Sequence, residues 1–543
     1  MIETPVLIAG AGPVGLVLAQ ELRSHGVRCM IVERNLDTTR WPKMDITNCR
    51  SMELLRRLGL DEPLRRIGVP ANFSFDVIFS GGLAGREISR WSLPSVETWR
   101  RMIRERNDGS MPQEPYQRLS QEIFEAWLKR RCEEDPLIEV RSGWRFDALT
   151  QDDAGVTARV EDTTTGETRE IRCRYLVGCD GASSSVRKAI GATADGRVVP
   201  RLSRLVHFKS RDLKALHAHG QFWHIFFPTA TIISQDEVDT WTVQRYHPAE
   251  QDLSAVPSEQ IVVESLGREI AIDRVLVTST WQGQLRLASA YRSGRVFLAG
   301  DSAHQNIPTG GYGMNTGVGD AVDIGWKLAA VLNGWGGPGL LDSYESERRP
   351  VARRNVDRSE RHTSIHVAWR GKVRPELVNA AGPEADAHRA ALAAIVQDGR
   401  GENEDHGIEL GYRYNGSPIV IADSGAEPAW TPRHYTPTTW PGGRPPSLYL
   451  EDGSALFDRF GPDLTLLEFG GGGRAAGLLA AAGRRGIPLR HVTIAEPAAR
   501  ELYERDLVLI RPDQHVAWRG NAGPADPERV LDTVTGRSAP AAR

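Results

Sequence analysis

Apolar positions in this chain gather into short runs that close on glycine or an acid, and helical spacing follows most of them. The first run is Pro5-Val-Leu-Ile-Ala-Gly10, which reads as a strand. Gly10-Ala-Gly12-Pro13-Val-Gly15 comes next, then a helical pattern to His25, stopped by Gly26. Residues 27–32 form a second apolar strand ending at Glu33. Residues 175–177 form a third, ending at Asp180 with Gly181 as the turn, and residues 296–299 a fourth, ended by Gly300 and Asp301. A loop with Pro308, Gly310, Gly311 and Gly313 separates that strand from a helix predicted over 318–332.

Between these runs the spacing predicts helices over 51–58 and 115–132 and a β-meander over 140–172. Residues 202–290 alternate as strands do, most clearly over 222–227 and 240–246, and both stretches are rich in aromatics. Charged helical spacing covers 343–370, and 375–399 also reads as helix. Residues 411–447, rich in Pro, Gly and Thr, read as a linker or extended arm. Beyond 448 lies a small α/β unit, with strands over 465–469, 489–494 and 506–510, a helix over 474–486 and a closing hairpin over 512–519.

Composition narrows the classes. A chain of 543 residues with 40% hydrophobic and 25% charged residues is expected to fold as two or three globular domains. Net charge is −3, and no basic run is long enough for a nucleic-acid groove. No apolar run has the length of a membrane span. Residues 6–19 superficially resemble a signal-peptide core, but Glu3 precedes them and their glycines have another use. Cys29, Cys49, Cys132, Cys173 and Cys179 include no CxxC pair, so neither a metal ribbon nor a dithiol motif is expected, and the sparse set suits a reducing cytoplasm.

Strand, glycine turn, helix, strand and acid in that order make a dinucleotide fingerprint. Gly10 makes the tight turn, Gly12 lets backbone approach a pyrophosphate at the helix N-terminus, and Gly15 lets helix pack on strand. Glu33, followed by Arg34, can bind an adenosine ribose without a 2′-phosphate. Further along the chain, the loop after Asp301 and the helix behind it suit a flat ring that carries negative charge, as a reduced flavin does. Asp45, just ahead of the 51–58 helix, is either a helix cap or a chemical group; Arg50 is a solvated charge or a phosphate contact; Gln121 faces a cofactor or solvent.

These three motifs together resemble the FAD-dependent aromatic hydroxylases, the single-component flavoprotein monooxygenases. The resemblance implies an α/β architecture: a discontinuous Rossmann-like FAD-binding domain (1–75, 110–200, 285–370), an inserted β-sheet substrate domain (76–109, 201–284), a helical segment and linker (371–447) and a C-terminal thioredoxin-like domain (448–543) without its CxxC. It implies that Gly10, Gly12, Pro13, Gly15, Glu33 and Arg34 hold the ADP half of FAD. Asp180, Gly181 and Arg187, with Ser184, would serve FAD and the nicotinamide cofactor. Asp301 would bind the ribityl chain, and Pro308, Gly310, Gly311, Gly313, Met314 and Asn315 would line the isoalloxazine, with Arg50 and Gln121 also on FAD. Asp45 falls where phenol hydroxylase has its active-site acid, and Lys43 stands near where many relatives have arginine. The implied reaction uses NAD(P)H and O2 to hydroxylate a small phenolic or other aromatic substrate through a flavin C4a-hydroperoxide. The alternatives are Baeyer–Villiger oxygenation or epoxidation by the same flavin, or a non-catalytic flavin-binding protein. A homo-oligomer is compatible with the C-terminal unit.

Overall fold

The computed structural model describes residues 2–538. Its first sheet has eight strands. Its hydrogen-bonded path runs Arg292–Ser293, Val296–Leu298, Thr168–Gly178, Ile2–Ala9, Cys29–Glu33, Ile138–Ser142. From Val296–Leu298 to Ile138–Ser142 every neighbour along the path is parallel, and helix Pro13–Ser24 links Ile2–Ala9 to its neighbour Cys29–Glu33. Such a sheet is buried on both faces, which is why its strands are unbroken apolar runs. Val6, Leu7, Ile8, Leu176, Val177 and Val296 to Leu298 are all inaccessible to solvent.

The register matters for function. Ala9 pairs with Val32 on one side and Gly178 on the other, and Gly178 pairs with Leu298. Three strand ends far apart in sequence, the ones carrying Gly10, Asp180 and Asp301, therefore lie side by side at the carboxyl edge of one sheet. Ligands bind at that edge in doubly wound folds.

A second eight-stranded sheet runs His304–Gln305, Arg274–Ala288, Ala194–Lys209, Thr240–Pro248, Ala230–Ser234, His224–Phe226, Val77–Ser80, Glu87–Trp91. Its two longest strands run without a break through residues 200 and 285, where the resemblance suggested domain boundaries. A third sheet orders Leu489–Ile494, Leu464–Phe469, Leu507–Ile510, Val516–Gly520, its first pair parallel and the rest antiparallel.

Several elements differ from their predicted extent. The helix after the glycine loop begins at Tyr312, not at 318, so Gly313, Met314 and Asn315 form its first turn. Gln117–Arg118 is a short strand paired with Ile46–Thr47, and the helix there begins only at Gln121. The charged helix opens at Pro338 and reaches Gly371, five residues before its predicted start. Residues 411–447 are largely irregular; 420–434 hold no buried residue, while 441–447 are buried throughout, with Arg444 bonded to Glu53 in the first half of the chain.

Candidate active site

A cavity of about 1030 Å³ runs along the carboxyl edge of the first sheet, from the Gly10 turn to the glycine loop. That volume exceeds an ordinary small-ligand pocket and suits an extended dinucleotide. Gly10, with φ of +109°, makes the tight turn: a Cβ there would stand 2.4 Å from the Cys179 carbonyl oxygen. A Cβ on Gly15 would stand 2.0 Å from the Gly10 oxygen, so the helix can approach the turn only without one. At Gly12 the added atom would meet nothing within 4 Å; the space belongs to the cavity.

Helix Pro13–Ser24 starts at Gly12 and helix Tyr312–Leu332 at Gly311, neither with a side-chain cap, and both starts line the cavity. Uncapped N-termini offer free N–H groups and partial positive charge. One suits a pyrophosphate and the other an anionic ring.

The acids divide into two kinds. Asp180 lines the cavity but is spent on its own loop: Ser184 Oγ donates to Oδ1 at 2.5 Å, and the Ser185 and Val186 N–H groups to Oδ2 at 2.6 and 3.1 Å. Burial still raises its pKa against those bonds. Asp301 opens onto the cavity with no hydrogen-bond partner among the described residues. Burial pushes its pKa up, while His304 and Lys43 pull the other way. Glu33 also faces the cavity, where Oε2 accepts from the Ala11 N–H at 2.9 Å and Oε1 from Asn35. Pro13, Arg34, Gln121, Gly181, Pro308, Gly313 and Met314 join the lining. Gln121 donates to Glu125 at 2.5 Å, and its N–H donates to the Met44 oxygen at 2.9 Å.

Five expected contacts lie outside the lining. Gly15 is packed beneath the turn. Gly310 sits against the Tyr312 ring. Asn315 accepts from the Asn48 N–H at 2.9 Å and donates to the Gly311 oxygen at 2.6 Å, so it shapes the loop rather than facing the cavity. Arg187 donates to the Ser302 and Ala182 oxygens, each at 2.8 Å, tying the second motif to the third. Arg50 is the clearest correction. It is 4% exposed, and its guanidinium donates to Glu53 at 2.9 Å, to Gln514 at 3.0 Å and to the Asp513 carbonyl at 2.6 Å. Those partners belong to the turn before Val516–Gly520 and to Arg50's own helix, and the fold turns the side chain toward them, away from the cavity.

Asp45 lines the cavity and does not cap a helix. The cap of helix Cys49–Arg57 is Asn48, whose side chain accepts from the Ser51 N–H. Asp45 Oδ2 instead accepts from Trp223 Nε1 and from His224 Nε2, both at 2.9 Å, and Oδ1 has no protein donor among the described residues. Burial alone would raise its pKa, but the hydrogen bond and charge of His224, the Trp223 bond and the Arg118 charge together lower it. The result is a carboxylate with one anchored oxygen and one open oxygen.

His224 and Trp223 were not read as site residues, because nothing in local spacing pairs residue 45 with residue 224. Alternate sides of the second sheet separate the aromatics. Phe222 and Trp241 pack into a core on one face. Trp223 and Phe226 pack on the other with Phe75, Tyr116 and Trp99, where Phe75 and Tyr116 stand 4.2 Å apart and Phe75 meets the Trp223 edge at 5.7 Å.

Residues 3–359 match the family model described as an FAD binding domain, and residues 438–538 match that of the aromatic-ring hydroxylase C-terminal region. The chain belongs to the FAD-dependent aromatic hydroxylases. This hydroxylase is 44% identical over 564 residues to the FAD-dependent monooxygenase apdD of Emericella nidulans, covering 98% of this chain and 90% of that one. It is 29% identical over 576 residues to a phenol 2-monooxygenase of a Pseudomonas species, covering 99% and 93%. The solved structure of the rebeccamycin biosynthetic enzyme RebC with reduced flavin superposes with a TM-score of 0.88 at 34% identity, covering 99% of each chain. The hydroxylase is thus an enzyme of the monooxygenase class whose cofactor is FAD. Its cavity fits that group through the space at Gly12, the two uncapped helix starts and the unpaired Asp301. Among the described residues no helix is long and apolar enough to cross a membrane.

Proposed function

We propose that the hydroxylase inserts one oxygen atom of O2 into a phenolic or polycyclic aromatic substrate, using NAD(P)H as reductant and Asp45 as the base. When bound and reduced, FAD supplies the activated oxygen, while the second oxygen atom leaves as water. The chain's own residues do the rest. The Gly12 and Gly311 helix starts and Asp301 would hold the cofactor along the sheet edge. Asp45 Oδ1 would accept the phenol proton, which makes the ortho and para carbons nucleophilic toward an electrophilic oxygen. Trp223 and His224 hold Oδ2, so the carboxylate keeps one orientation and stays ionised at neutral pH. Phe75, Tyr116 and Trp223 pack in a closed core behind Asp45, outside the cavity lining, and would hold the anchoring indole in place.

The half-anchored Asp45 carboxylate carries this reading. A relative bearing the name phenol 2-monooxygenase supports it. The test is a panel of phenols and aromatic polyketides, with NAD(P)H oxidation, O2 uptake, peroxide release and product followed together. Substrate-stimulated oxidation with a ring-hydroxylated product is expected. Esters or lactones formed from ketones would establish Baeyer–Villiger chemistry instead, and no stimulation by any compound would point to a flavin protein without this activity.

A further inference from the structure

Outside the cavity, one cluster of ligating groups stands out. Cys49 opens the helix Cys49–Arg57, while His406 and Glu409 sit three residues apart on the short helix His406–Glu409. The Cys49 sulfur, a His406 ring nitrogen and a Glu409 carboxylate oxygen all lie within 4.8 Å of one another. His406 Nδ1 and Glu409 Oε2 are buried and have no hydrogen-bond partner among the described residues. We propose that these three side chains form a binding site for one zinc ion, which clasps helix Cys49–Arg57 to the segment that follows the long charged helix.

The chemistry of the donors selects the metal. Thiolate, imidazole and carboxylate together suit a borderline cation with tetrahedral preference, and zinc accepts all three. Metal–ligand bonds of about 2.0–2.3 Å place tetrahedral ligands roughly 3.3–3.8 Å apart. With donor atoms up to 4.8 Å apart, the cluster needs a contraction of at most about 1.0–1.5 Å, within reach of carboxylate and imidazole rotation. Cys49 is fully buried, but His406 and Glu409 are only partly so, which leaves an entry path and a fourth position for water. Among the described residues no Lys or Arg pairs with Glu409. A dication would supply the missing counter-charge.

The site would act as a brace rather than a catalyst. Cys49 follows Asn48, whose N–H donates to Asn315 in the first turn behind the glycine loop. Asp405, beside His406, pairs with Arg358 and, at 3.3 Å, with His362 on the long helix. An ion at Cys49 would therefore join three parts of the chain that meet behind the cofactor cavity.

The test uses untagged, flavin-loaded protein, equilibrated with zinc chloride, desalted and assayed for metal. About one zinc per chain is expected. Cys49→Ser and Glu409→Gln should each lower retention at least tenfold with flavin content unchanged. Cobalt loading should give d–d bands to the red of the flavin absorption that Cys49→Ser abolishes, and zinc should raise the melting temperature of wild type alone. Glu409→Gln decides the matter if Cys49→Ser fails to fold. Wild-type protein that holds less than about a tenth of an ion per chain, or variants that hold as much as wild type, would overturn the proposal.

Discussion

Asp45 is one residue doing two things at once: one oxygen is anchored by an indole and an imidazole, and the other faces the cavity. Asp45→Asn keeps the shape and removes the base. Hydroxylation should fall about 10²- to 10⁴-fold, with flavin content intact and NAD(P)H oxidation diverted to peroxide, measured as the product-to-peroxide ratio. His224→Gln should act more subtly. The folded protein holds the Asp45 pKa below its ordinary value, partly through His224, so the base is ionised above that lowered pKa. Without His224 the acid limb of the kcat/KM profile should move to higher pH, and an unmoved limb would remove His224 from this role. Asp45 could be singled out from the chain alone, because it sits in a recognisable local stretch. Its two anchors could not, because hydrogen bonds across such a sequence separation leave no local trace.

Glycine positions that look alike in the sequence do different work once helix and strand are assembled. At Gly15 a Cβ collides with backbone, which cannot rotate away. Gly15→Ala should destabilise the protein by about 1–3 kcal/mol or more, with or without flavin, as seen in its thermal unfolding. At Gly12 the backbone is extended, with φ of −73°, and the space is open. Gly12→Ala should leave the flavin-free protein as stable as wild type and weaken FAD binding at least tenfold, since a few ångströms of cradle are lost (a loss of about 1.4 kcal/mol corresponds to tenfold). The strand–turn–helix order was legible because hydrophobic runs and glycines are local signals. The start of the Tyr312–Leu332 helix was not. Its first turn, Tyr312 to Asn315, has no apolar period, and its N-cap is a glycine at φ +64°.

At the scale of the molecule, the C-terminal unit is fastened by buried charge. Arg511 donates to Asp323 at 3.0 Å, to Glu347 at 2.6 Å and to Asp513 at 2.7 Å, and Lys327 donates to Asp323 at 2.7 Å, every one of these side chains at most 4% exposed. Arg511→Met should cost about 3–5 kcal/mol in a denaturant melt, because carboxylates buried with it lose their main cation. A second fastening titrates. His25, at the end of the first helix, bonds Asp463 at 3.1 Å and Glu21 at 3.0 Å. Burial opposes its charge, but those two acids outweigh burial and raise its pKa to about 9. A raised histidine pKa contributes stability that is whole below the unfolded value near 6.5 and is lost as pH rises through 9. The stability difference between wild type and His25→Gln should therefore shrink from pH 6.5 to 9, as read from melts across that range.

The sequence by itself determined the three glycine-and-acid strand ends, the α/β class and the family, since each rests on short-range spacing that a chain carries wherever it folds. Tertiary structure decided which of those residues meet. Parallel register set three distant strand ends on one edge, turned Arg50 into the domain junction, and gave Asp45 its partners. Such choices depend on which surfaces pack together, and packing is a property of the whole chain.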